Sequence, residues 1–127
     1  MKRTALAIAL LPAAVMAFAQ EPAITFEDTS HDFGTIAEDG GNVTHEFKFT
    51  NTGDAPLMIV NASASCGCTR PSYPKKPVAP GKTDKIKVTY VPVGRPGEFV
   101  KTVTVKTNVK KQKTIKLKIK GTVVPKK

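Results

Sequence analysis

Side chains alternate between apolar and polar along most of this chain. Over 42–50, Val43, His45, Phe47 and Phe49 fall on one side and Thr44, Glu46, Lys48 and Thr50 on the other. A period of two predicts a strand with one buried face. The same rhythm runs through 85–91, and through 99–107 with Val103 and Val105 on one face. It is cleanest over 114–123, where Ile115, Leu117 and Ile119 point inward and Lys116, Lys118 and Lys120 point outward. The short apolar run 57–60 predicts another strand, and 24–26 with 31–36 predict one or two more. Turn signals separate them: Asn51-Thr52-Gly53-Asp54, Pro80-Gly81, Arg95-Pro96-Gly97 and 108–111. Gly40-Gly41 reads as a hairpin tip, and Gly34, without a Cβ, as a place where the first strand passes close to its neighbour. Residues 69–81 hold Pro71, Pro74, Pro77 and Pro80, so this stretch is a crossing or an edge and not a central strand.

About seven strands, turns every ~8–12 residues, and no long amphipathic helix predict an all-β chain. The architecture expected is a seven-stranded antiparallel immunoglobulin-like β-sandwich. The Cys…Trp…Cys spacing of antibody domains is absent, because there is no Trp. A chain of 127 residues with 40% apolar residues fits one modest core. That excludes a barrel enzyme or a two-lobed dinucleotide-binding enzyme by size.

Residues 1–19 read as a secretory signal peptide. Lys2 and Arg3 precede an apolar stretch broken by Pro12, and Ala17-Phe18-Ala19 supplies a small-x-small cleavage pattern. The stretch is too short to span a bilayer, which takes ~20 apolar residues. The domain proper is then 20–127, with a core of about 26–123 and no transmembrane span. Periplasm or extracellular space is the expected location.

The net charge of +10 is unevenly spread. Eight of the ten acids precede residue 55, and seventeen of the twenty basic residues follow it. No aromatic-plus-basic motif accompanies the lysines, so nucleic acid is not an expected partner. A weak contact with a polyanion or a membrane surface is a further expectation from the charge. Lys116, Lys118 and Lys120 read as blunting a terminal strand against uncontrolled pairing, or, if that edge is used, as the site where a partner strand adds.

One sequence feature is chemically unusual: Ser65-Cys66-Gly67-Cys68-Thr69. In an extended strand the i and i+2 sulfurs are too far apart to bond, but Gly67 allows a bend that brings them together. Three readings stay open. The pair is a disulfide or exchangeable dithiol, or a metal site completed by Met58, His31 or His45, or two buried thiols. No cofactor is called for. No nucleophile and base are paired in the sequence, and the thioredoxin-type C-x-x-C is missing, so no enzyme is expected.

Several motifs taken together resemble a known family. They are His31-Asp32-Phe33-Gly34-Thr35-Ile36, Phe47-Lys48-Phe49-Thr50-Asn51-Thr52-Gly53-Asp54-Ala55-Pro56-Leu57, Ser65-Cys66-Gly67-Cys68-Thr69, Ala79-Pro80-Gly81-Lys82, Gly97-Glu98-Phe99 and Val105-Lys106-Thr107-Asn108. In order and spacing they are similar to the bacterial domain-of-unknown-function family 1573, whose strand–Asn-Thr-Gly–strand core resembles major-sperm-protein and Hydin-type domains. The resemblance implies a secreted seven-stranded sandwich without established catalysis, and it hands over no substrate. The functional expectation is an exported, non-catalytic interaction or scaffold module of the cell envelope with an unknown envelope protein as partner. The alternative is a thiol-redox or metal-handling protein centred on Cys66 and Cys68.

Overall fold

The computed structural model describes residues 20–126, so the signal-peptide segment 1–19 lies outside the described residues. Eight strands follow in chain order: β1 (Ile24–Phe26), β2 (Ser30–Ala37), β3 (Val43–Asn51), β4 (Ile59–Ala64), β5 (Thr69–Ser72), β6 (Thr83–Tyr90), β7 (Gly97–Thr107) and β8 (Thr114–Val124). They form two four-stranded sheets, ordered β1-β3-β6-β5 and β2-β8-β7-β4. The strand beyond the expected seven is β5, a four-residue segment inside the proline-rich stretch. It sits at the edge of the first sheet, where Pro71 is tolerated. One pairing is parallel, β2 with β8, which alternation alone could not reveal.

The inward side chains are those that the alternation assigned. Phe47, Phe49, Ile86 and Val88 of the first sheet are buried against Val103, Val105, Leu117 and Ile119 of the second. Tyr90 and Phe99 stack across the sheets at 3.8 Å between ring centroids. Each such side chain contributes about 1.5–3 kcal/mol relative to exposure.

Two glycine readings change. Gly40-Gly41 is not a hairpin tip, because β2 and β3 lie in different sheets and the loop crosses between them. Gly34 has open space around its Cα. Its role is a backbone with φ of +70° at the β2 bulge, where Asp32 Oδ1 accepts its N–H at 2.8 Å. The first strand does pass close to its neighbour there, but the missing Cβ that allows it is Gly121's on β8, where a Cβ would meet the Phe99 ring at 2.9 Å and Gly34 O at 3.0 Å.

A polar residue takes the last inward position of β3. Asn51 is fully buried. Its Nδ2 donates to Ala55 O at 2.8 Å and to Val78 O at 2.9 Å, and its Oδ1 accepts from Gly53 N at 3.0 Å and Ala23 N at 3.4 Å. One side chain thus joins the entry to β1, the β3–β4 turn and the connection before β6. Gly53 is obligatory in that turn, since a Cβ there would collide with the backbone of Glu21, Pro22 and Ala23.

Candidate functional site

The cysteine bend lies where the chain crosses from β4 in the second sheet to β5 in the first. Cys66 and Cys68 are joined as a disulfide with Cα atoms 5.1 Å apart. The bend is held by backbone bonds from Thr69 N to Cys66 O and from Val91 N to Cys68 O. Cys68 is buried in the core and Cys66 only partly so. Met58 precedes β4 and Cys66 follows it, so roughly 20 Å of strand separates them at ~3.3 Å per residue. His31 is on β2, at the opposite edge of the second sheet from β4. The expected Cys66, Cys68 and Met58 metal constellation is therefore not brought together, because a strand's length and a sheet's width keep its members apart. No group of three or more His, Cys, Asp or Glu side chains suited to a metal occurs among the described residues.

The two histidines do meet each other. His31 and His45 come from different sheets and stack at 3.7 Å, with ring planes 8° apart. Phe33 and Phe47 meet them edge-on. Asp28 Oδ2 lies 3.4 Å from His45 Nε2, without the alignment of a hydrogen bond. Burial and the neighbouring His45 hold His31 below its ordinary pKa, while Asp28 and Asp32 pull weakly the other way.

Lys116, Lys118 and Lys120 are exposed as expected, but they do not lie on an edge. β8 is an interior strand between β2 and β7. Sequence position had suggested an edge because β8 is last in the chain; the parallel addition of β2 covers it. Their side chains instead form the solvent face of the second sheet. Across that face Lys116 is opposite Thr104, Lys118 opposite Thr102, and Lys106 opposite both Asn61 and Thr114. Lys116 Nζ donates to Thr104 Oγ1 at 2.9 Å. The ion pairs among the described residues involve Lys85, Lys110 and His45, and none of these four lysines. Acids reach this face only at one end, with Asp32 opposite Lys120 and Glu98 opposite Thr122.

Sequence reasoning missed two polar anchors. Glu38 reads as a solvated turn acid. Its carboxylate instead accepts from Gly94 N at 2.8 Å and Lys126 N at 3.1 Å, and these backbone donors hold its pKa below the usual value. Asn51 reads as a turn residue, yet extending the 43, 45, 47, 49 parity by one step already puts it inside.

A family model described as a protein of unknown function, DUF1573, matches residues 24–123. The chain belongs to this family. A search of curated proteins finds none that matches it. The DUF1573 fold is similar to a protein of unknown function from Porphyromonas gingivalis W83, with a TM-score of 0.71 and 14% identity over 87% of this chain and 51% of that one. It is similar to the ASH/PapD-like domain 7 of human CEP192, with a TM-score of 0.67 and 15% identity over 84% and 89% of the two chains. The E. coli chaperone DraB matches with a TM-score of 0.53 and 14% identity over 82% and 56%. At these identities the likeness is one of fold: an immunoglobulin-like, PapD-like β-sandwich. The DUF1573 chain spans about half the length of the P. gingivalis protein.

Proposed function

We propose that this DUF1573 protein is an exported, non-catalytic β-sandwich that binds another protein as an interaction or scaffold module of the bacterial cell envelope. The observation that carries the reading is the lysine–threonine face of the second sheet. Lys106, Lys116, Lys118 and Lys120 stand exposed on one sheet face with no ion pair among them, and Asp32, opposite Lys120, is the one acid in register with the row. An extended, exposed row of like charges suits a macromolecule, whereas a small substrate calls for a concave site that buries it. Export is supported by the leader-like 1–19 and by a disulfide of the kind that an oxidising compartment sustains.

The test places a photo-reactive side chain at the exposed Thr102 of the full chain in its bacterial host. Fractionation should find the chain in the envelope or medium, cross-linked to a discrete second protein. Reversing Lys106, Lys116, Lys118 and Lys120 to Glu should abolish that product while circular dichroism stays unchanged. A cytoplasmic chain, or a product indifferent to the reversal, would overturn the reading.

A thiol-exchange role is the second reading, favoured by the unequal burial of the cysteines. An incoming thiolate reaches the partly exposed Cys66 sulfur and would release the Cys68 thiolate. Failure to trap any mixed disulfide with glutathione would end it.

A further inference from the structure

A β-sandwich of two open sheets has four edge strands, and an edge with unpaired backbone groups accepts another chain unless something blunts it. Three of the four are blunted here. β1 is only three residues long. β5 contains Pro71 and the charged Arg70. β2 carries a bulge at Gly34, with Asp32 folded back onto its backbone.

β4 differs. Its six residues, Ile59-Val60-Asn61-Ala62-Ser63-Ala64, include no proline, no glycine and no charge. On its outer side the last backbone pairing is the bridge between Leu57 and Val78, with Leu57 N donating at 2.9 Å and Val78 N at 2.8 Å. Beyond that bridge, among the described residues, β4 pairs with β7 alone. A register shift between Ile59 and Asn61 turns both Val60 and Asn61 toward solvent. Val60 is 58% exposed, an apolar side chain standing at an open edge.

The charges in register with β4 are of one sign. β4 itself lies in a stretch, from Ala55 to Thr83, that contains no acid. In register with the edge, Asn61 is followed inward by Lys106, and Ser63 by Thr104 and then Lys116. A strand added beside β4 would lie ~4.8 Å from it, about 10 Å from β7 with Lys106, and about 14 Å from β8 with Lys116. The flexible Lys106 stem spans much of the first gap, and Lys116, whose Nζ reaches over to Thr104 of β7, forms a second row behind it. Outward side chains of the added strand would therefore meet cations and no anions.

We propose that β4 is a docking edge that takes an extended, acidic, proline-free segment of another protein as a fifth strand of the second sheet, with Val60 as apolar contact and Lys106 and Lys116 as the charge-matching row. The proposal rests on the protein-binding reading above and names the surface and the chemistry of the partner. Backbone hydrogen bonds would hold the segment, and alternate acidic residues would select it. A second copy of this chain is the poorer occupant, because each copy is strongly cationic with or without Lys2 and Arg3.

The probe is an acetylated decapeptide alternating valine and glutamate, titrated into the isotope-labelled full chain and followed by amide NMR shifts and hydrogen exchange. The expected result is shift changes confined to β4 and the Lys106–Lys116 row, with new protection of β4 amides. A version with a central proline, and one alternating valine and lysine, should each bind at least tenfold more weakly. Asn61→Glu and Ser63→Glu, at exposed positions, should weaken the acidic peptide by a similar factor. No binding, shifts on β1, β2 or β5, indifference to the proline, or a stable homodimer protected along β4 would each overturn the proposal. If the peptide fails while the Thr102 cross-link persists and remains sensitive to the lysine reversal, the edge assignment falls and the interaction-module reading stands. Loss of both removes both.

Discussion

Replacing Asn51 with Ala removes a side chain that makes four hydrogen bonds from a fully buried position. The Val78 carbonyl keeps a partner, since Leu57 N also donates to it at 2.9 Å. Ala55 O, Gly53 N and Ala23 N each lose the partner that the Asn51 side chain supplies. At about 1 kcal/mol per net bond, with more where a group is left unpaired, the loss is about 3–4 kcal/mol. A domain of this size has roughly 5–15 kcal/mol to lose. The melting temperature should fall by about 12–16 °C, at ~4 °C per kcal/mol. Urea denaturation followed by far-ultraviolet circular dichroism suits the assay, because the chain has no Trp. Asn61→Ala, at an exposed position, serves as the control and should change stability by less than ~0.5 kcal/mol. Asn51→Asp sharpens the test: it places a carboxylate where two carbonyls need a donor. Its deficit should exceed that of Asn51→Ala at neutral pH and shrink in acid, where the protonated carboxyl can donate once. If Asn51→Ala and Asn61→Ala were equally mild, the buried hub would not be holding the turn and its neighbours together.

Phe49→Asp should leave the chain unfolded, since it loses about 3–5 kcal/mol of packing and adds a buried charge, whereas Lys118→Asp should stay within ~0.5 kcal/mol; calorimetry that reversed this order would contradict the face assignment. Cys66→Ser should cost about 1.6 kcal/mol at most, because the disulfide closes a loop of only three residues and constrains the unfolded chain little; urea midpoints with and without reductant check it, and complete unfolding on reduction would refute it. The His31 pKa is lowered on folding from its ordinary 6.5 by burial and by His45. The unfolded chain therefore takes up a proton that the folded one resists. The contribution is fully present above pH ~6.5 and is lost as pH falls through the lower folded value. His31→Gln should flatten the decline in stability between pH 7.5 and 5.5, and an unchanged slope would show that the stacked pair is not its source.

The strands with clean alternation were legible because a period of two sorts side chains between core and water without reference to other strands. β3, β6, β7 and β8 all bury the faces that parity assigns. The position of Pro71 at an edge followed from its missing N–H. β5 was harder to see as a strand, because four residues with a proline carry too little pattern. Asn51 was legible in principle, since parity put it inside, but a turn motif offered a simpler reading of the same letters. The bend at Cys66 and Cys68 was visible as an oddity, while its bonded state needed the crossing from β4 to β5 to be placed.

Alternation is a local property: each residue's side is set by its own backbone pleat, so the amino-acid order alone settled that this is a two-layer β protein and which side chains line its interior. Edge and centre are properties of neighbours in space. Whether Lys116, Lys118 and Lys120 stand on a rim or on a face depended on β2 arriving from the other end of the chain to pair in parallel with β8. The same long-range pairing left β4 open and stacked His31 on His45. Contacts between distant segments arise from the packing of whole sheets, and no short window of residues encodes them.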